Sequence, residues 1–149
     1  MLKQILLDIY EPGLAMLRDE IGAYSSEADL WKVAGDVANP AGNLCLHICG
    51  NLQHFFGAVI GQDGYVRDRD AEFASKNVPR ADLLAGIDAA QASVRATLEK
   101  ITDDDFAAIY PIEVFGEPMT TGFFLTYLAT HLKWHLGQIN YHRRLLATK

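Results

Sequence analysis

Five histidines occur in this chain of 149 residues, and three stand in one short stretch, "THLKWHLGQINYHRRLL" at 130–146. Imidazole binds divalent ions and moves protons near neutral pH, so spacing decides what these residues could do. On a helix, His131 and His135 lie roughly 40° apart and roughly 6 Å along the axis. Two imidazoles so placed can converge on one ion, as in zinc-binding helices. His142 shares their face but lies roughly 10 Å beyond His135, too far for the same ion. This helix therefore offers two ligands, and a metal site needs a third from elsewhere. The plain alternative is an amphipathic helix whose histidines sit half-buried against neighbours.

The other two histidines lie in "NLCLHICGNLQHFFG", residues 43–57. His47 and His54 share a helical face but stand roughly 10 Å apart, so only one can reach the ion directly. Around His47 that face carries Asn43, Gly50, Asn51, His54 and Ala58, all small or polar. The opposite side carries Cys45, Cys49, Leu52, Phe56 and Val59. A plain core helix would turn its bulky stripe inward. The pattern predicts a cavity on the histidine side and further protein against the other. In the last helix, Phe124, Tyr127, Leu128, Trp134, Gln138 and Leu145 fall within about 60° of His131. Aromatics mixed with His and Gln read as a pocket wall.

The elements that must position these groups are helices. Leu2, Ile5, Leu6, Ile9, Leu14, Leu17 and Ile21 keep a helical beat over 2–23, with Pro12 expected to kink or break it. Asn39 as N-cap and Pro40 at the first helical position open a second helix that runs to about Gly61. A long polar connection, 62–79, ends at Pro79, and a third helix spans 80–100. Residues 110–118 are too rich in Pro, Gly and β-formers for helix and predict a short extended piece. The last helix covers 121–146. No run alternates long enough to build a sheet, so the class is all-α, in one domain over 1–149.

Composition narrows the partners. Net charge is −6 and the pI about 5.2, which argues against nucleic acid or an anionic membrane. No 18-residue apolar run and no signal-peptide pattern is present, so the expected location is the cytoplasm. Cys45 and Cys49 are too few for a disulfide framework and read as small apolar residues at a helix contact.

A histidine in the second helix followed by HxxxH in the last resembles the DinB-like (YfiT-like) metalloenzyme superfamily. "HICGN" at 47–51, followed by "RDRDAEF" at 67–73, resembles one bacterial branch of unknown function, and the likeness spans nearly the whole chain. The resemblance implies an up-down-down-up four-helix bundle, usually dimeric, with three histidines on a zinc, nickel or iron ion. Carried over by position, the ligands fall on His47, His131 and His135. His54 has no ligand role in that pattern and reads as a supporting or substrate-contacting residue, with Asn51, Tyr127, Trp134 and Gln138 as pocket neighbours.

Three neutral imidazoles leave a coordination position open, as catalytic sites do. With no carboxylate bound, the ion keeps its full charge as a Lewis acid. A general base is harder to name, because Asp68, Asp70 and Glu72 read first as a solvated charged loop. Arg67 and Arg69 either meet an anionic substrate or pair with those neighbours. The expected function is a metal-dependent enzyme on a small molecule, with hydrolase-like or thiol-transfer chemistry implied by the resemblance. A low-molecular-weight thiol is then a candidate substrate. The alternative is a non-catalytic, stress-related metal-binding bundle. Finally, Cys45, Cys49, Leu52, Phe56 and Val59, with Ala129, Leu136 and Gly137, predict an apolar patch that a homodimer would cover. The competing cover is the chain's own connections, 62–79 and 101–120.

Overall fold

Leu6, Tyr10, Leu14, Leu17 and Ile21 recur at three- and four-residue steps and form the buried stripe of α1 (Leu2–Gly22). In the computed structural model, which describes residues 1–147, the chain is all-helical. Helix α1 runs through Pro12 without a break. A proline inside a helix costs about 3 kcal/mol, but packing on both sides holds this one. Gly13 lies against Leu132, and the Tyr10 hydroxyl donates to the Leu125 carbonyl at 2.6 Å.

A short 3₁₀ helix, Glu27–Trp31, precedes α2 (Ala41–Leu52). The N-cap of α2 is Pro40, one residue later than the expected Asn39. The single helix expected up to Gly61 changes its winding instead, since Gln53–Ile60 is π-helical. Neighbouring side chains support that wider turn. The Phe55 carbonyl accepts from the Tyr110 hydroxyl at 2.8 Å, and the Phe56 carbonyl from Thr97 Oγ1 at 2.9 Å.

The connection expected to be a polar loop contains α3 (Arg69–Ala74), whose N-terminus is capped by the Asp68 carboxylate accepting from the Ala71 N–H. Helix α4 (Arg80–Lys100) has the expected bounds. A further short helix, α5 (Asp103–Ala107), starts at a capping box of Thr102 and Asp105. The extended piece expected in 110–118 is not formed; one antiparallel bridge, Ile109 to Thr120, closes the loop around it. Helix α6 (Thr121–Leu146) follows, capped by Thr120.

Side-chain pairs give the helix directions. Arg18 with Asp88 and Glu11 with Arg95 set α1 antiparallel to α4. Tyr10 with Leu125 and Glu20 with Asn140 set α1 parallel to α6. His47 with His131 and Phe55 with Phe124 set α2 antiparallel to α6. One continuous core lies between these helices.

Two expectations about faces need correction. Cys45, Cys49, Leu52 and Phe56 are buried within the chain itself. Phe56 meets Tyr10 of α1 edge-on at 5.1 Å, and Cys49 lies against Gly86 of α4. Ala129 and Leu136 are buried too. The bulky side of α2 thus faces the core, and the histidine side faces a groove at its edge. The solvent-facing apolar residues of α6 are instead Phe123, Tyr127, Trp134, Tyr141 and Leu145. Among the described residues no helix is long and apolar enough to cross a membrane.

Candidate metal centre

His47 projects from α2 into the groove that His131 and His135 enter from successive turns of antiparallel α6. His131 Nε2 lies 3.1 Å from His47 Nε2 and 3.1 Å from His135 Nε2. Ligand nitrogens from the three rings all fall within 4.8 Å of one another. Bonds of about 2.0–2.1 Å at tetrahedral angles place such nitrogens roughly 3.3 Å apart. The spacing fits one ion.

The opposite ring nitrogens fix which protons are present. His47 Nδ1–H donates to Glu72 Oε1 at 3.0 Å, and His135 Nδ1–H donates to Gln138 Oε1 at 2.7 Å. These oxygens can only accept, so each bond holds a proton on Nδ1 and directs Nε2 into the groove. A single proton among the three Nε2 atoms can bridge only one of the two 3.1 Å contacts. The other contact is then left without a hydrogen along its line. A shared cation makes good that lack.

The electrostatics favour the same state. Burial, followed by the nearby His135, His47 and Arg67, pushes His131 down to about 4. Burial also lowers His135, against the opposing effect of its bond to Gln138. Unprotonated imidazole is the form that binds metal.

Behind His47 stands a charged pair. Arg67 donates from Nε to Glu72 Oε2 and from an amino group to Oε1, each at 2.8 Å. Burial opposes the Glu72 carboxylate, but Arg67 and His47 outweigh it and hold its pKa below the ordinary range. Helix α3 delivers this residue. Asn43 of α2 fastens the helix in place, its amide lying 2.8–3.1 Å from the carbonyls of Glu72, Phe73 and Ser75. Gly50 makes the room, because a Cβ there would stand 2.0 Å from Glu72 Oε2. The solvated-loop reading therefore fails for Glu72, which is buried, while Asp70 is exposed and Asp68 caps α3.

The remaining expected residues divide. Asn51 is buried in the wall of a cavity of about 220 Å³ that also touches His47 and His131, and half-exposed Tyr127 borders the same cavity. Gln138 anchors His135. His54 is half-buried edge-on to Phe55 and is not among the three converging histidines. Trp134 is 68% exposed and points away from the cavity wall expected for it. A larger cavity, about 450 Å³, reaches His135, Gln138 and His142 from the other side. The sequence reading missed the engagement of Glu72. The signal that could have found it is Gly50, a glycine in mid-helix on the histidine face, which costs stability unless something must approach closely.

No curated protein matches the sequence. Residues 12–149 match the family described as "Protein of unknown function (DUF1572)", and the chain belongs to that family.

Proposed function

We propose that this protein is a metal-dependent enzyme acting on a small molecule, with one divalent ion held by His47, His131 and His135. The observation that carries this reading is His131 Nε2 standing 3.1 Å from both His47 Nε2 and His135 Nε2 while two of the opposite nitrogens are anchored to oxygen acceptors. The helix pairings support an up-down-down-up four-helix bundle. Together with a ligand histidine on α2 and HxxxH on α6, they support a place for the family among the DinB-like metalloenzymes. Three imidazoles suit zinc, nickel or iron(II). When bound, such an ion would supply positive charge that lowers the pKa of a coordinated water or thiol.

The chain's own groups do the positioning. Arg67 fixes the Glu72 carboxylate, Glu72 fixes the ring plane and tautomer of His47, and Gln138 does the same for His135. Glu72 is committed to these bonds, no carboxylate lines the small cavity, and the larger one carries a single acid, Asp36. A hydrolase needs a base to take a proton from water. A thiol, being far more acidic than water, needs less help. That difference favours thiol transfer over hydrolysis. In such a transfer the sulfur forms a bond to carbon, the leaving group departs with its electron pair, and the thiol proton goes to solvent.

The test is thiol consumption with an electrophilic aryl halide, using protein loaded in turn with zinc, nickel and iron(II). Turnover that His135→Ala abolishes is the expected result. Equal rates in both proteins with every metal would leave the non-catalytic, stress-related metal-binding protein as the better reading. The reading places the protein in the cytoplasm, where its two buried cysteines, both free, would stay reduced.

A homodimer belongs to the same reading, on a different face from the one expected. Phe123, Tyr127, Trp134, Tyr141 and Leu145 follow one another at steps of four, seven, seven and four, which places them along one side of α6. Aromatic side chains carry about 150–250 Å² each, and these are 43–68% exposed. A stripe of several hundred Å² on one face marks an association surface. Tyr127 borders one cavity and Tyr141 the other, so a second copy seated there would cover both mouths. Sedimentation should show a dimer that Trp134→Glu separates, and a monomeric wild type would remove this part of the reading.

A further inference from the structure

On a chain of net charge −6, the small cavity beside His47 and His131 is lined by two arginines and no acid. Arg67 spends one edge of its guanidinium on Glu72. Arg69 makes no ion pair among the described residues, and its guanidinium rests over the Phe73 ring at 5.2 Å. Exposed at the mouth of the cavity, it is a cation held in place without a counter-charge.

The rest of the lining is largely aromatic. Phe115 and Tyr127 present exposed rings, with nearly buried Phe55 and fully buried Phe124 behind them. Phe115 meets Phe124 and Tyr127 edge-on, at 6.0 and 5.0 Å between centroids. The exposed faces of Phe115 and Tyr127 are left for a further ring to pack against.

Asn51 supplies the third observation. Its side chain is buried, and its carboxamide oxygen has no hydrogen-bond partner. Leaving such a group unpaired costs about 1–3 kcal/mol, and a native structure that does so invites an explanation in a ligand. The oxygen only accepts, so an anion is met here once the carboxamide turns its NH₂ to that place.

We propose that this cavity binds a small organic acid with an aromatic body, its ring against Phe55, Phe115 and Tyr127 and its carboxylate between Arg69 and the NH₂ of the Asn51 carboxamide. The volume of about 220 Å³ is below that of sites for drug-sized ligands, which sets a small upper size. The proposal rests on the enzyme reading only in naming this acid as the substrate. The binding site itself is built from the arginines, the rings and Asn51.

Phenylacetate, its neutral amide phenylacetamide, and acetate serve as probes, titrated by calorimetry into metal-loaded and chelator-treated protein. Phenylacetate should bind more tightly than either control by about tenfold, the value of one charge-assisted contact. Arg69→Gln should abolish the preference over the amide while elemental analysis shows unchanged metal content. Asn51→Leu should weaken phenylacetate and leave the metal in place. Equal binding of acid and amide overturns the proposal, as does a preference that survives Arg69→Gln. Complete loss of binding on chelation also overturns it, since the acid would then be only a ligand of the ion. Retained, Arg69-dependent binding in a protein that takes up no ion would support the acid site and sink the metal reading separately.

Discussion

Helix α6 carries two histidine environments about three turns apart, and they treat the same side chain in opposite ways. His142 is buried with both nitrogens matched to protein oxygens, Nδ1 to the Tyr24 hydroxyl at 2.7 Å and Nε2 to the Lys32 carbonyl at 2.8 Å. It donates from one nitrogen and accepts at the other, which a neutral imidazole does without help. His131 and His135 instead turn Nε2 toward each other and toward His47. One cluster is paired within the protein, while the other gathers three ring nitrogens at ligand spacing for an ion. Histidine count and helical face do not separate the two, and what lies at the far nitrogen does.

The largest effect should come from exchanging the roles of the two environments by mutation. His135→Ala should remove most of the bound ion. His142→Asn should retain it and lower stability by about 1–3 kcal/mol, because Tyr24 and the Lys32 carbonyl lose their partner. Elemental analysis and thermal melts of the two variants read both quantities. Loss of metal from the His142 variant alone would invert the assignment.

A smaller effect is expected behind the ligands. Glu72→Ala frees the far side of His47 and should weaken metal binding by about 10–100-fold. Gly50→Ala should act in the same direction, since its Cβ would meet the Glu72 carboxylate. Competition with a chromogenic chelator measures both. Wild-type affinity in the two variants would show that Glu72 supports α3 and not the ion.

Acid should distinguish the clusters next. In metal-free protein the folded state holds His131 near 4, while an unfolded histidine titrates near its ordinary 6.5. Between those values the unfolded chain binds more protons, so stability falls as pH drops through this window and is level above it. His135, lowered as well, adds to this window, while Glu72 adds a further loss only below its ordinary 4.5. The melting temperature of the chelated protein should therefore be lower at pH 5 than at pH 7.5, and His131→Gln should flatten that slope. An unchanged slope would place the acid sensitivity elsewhere.

The smallest expected effect is on the fold. The core is continuous without the ion, unlike that of a zinc finger. Chelation should leave the helical circular dichroism nearly intact. Wholesale unfolding would make the ion structural.

Much of this was legible in the chain. The bounds expected for α4 and α6, 80–100 and 121–146, are those of the structure, with Pro79 marking the start of the first. The spacing of His131 and His135 gave a convergent pair directly. What escaped was whatever depended on tertiary placement. Six residues of α3 are too few to show a helical period, so buried Glu72 looked like part of a charged loop. The π-helical winding at Gln53–Ile60 breaks the constant step on which a face assignment relies. Reading the histidine side of α2 as the interior then sent Cys45, Cys49 and Phe56 outward, although α1 and α4 cover them. Trp134 erred for the same reason. The histidines lie at the edge of the core, so their neighbouring face on α6 meets solvent.

X-ray absorption at the metal edge of the purified protein tests the central claim most directly. The account predicts three imidazole nitrogens at about 2.0–2.1 Å with at least one further light atom completing the shell, and loss of one imidazole contribution in His135→Ala. A spectrum with fewer than three imidazoles in the wild type, or one that His135→Ala leaves unchanged, would contradict it.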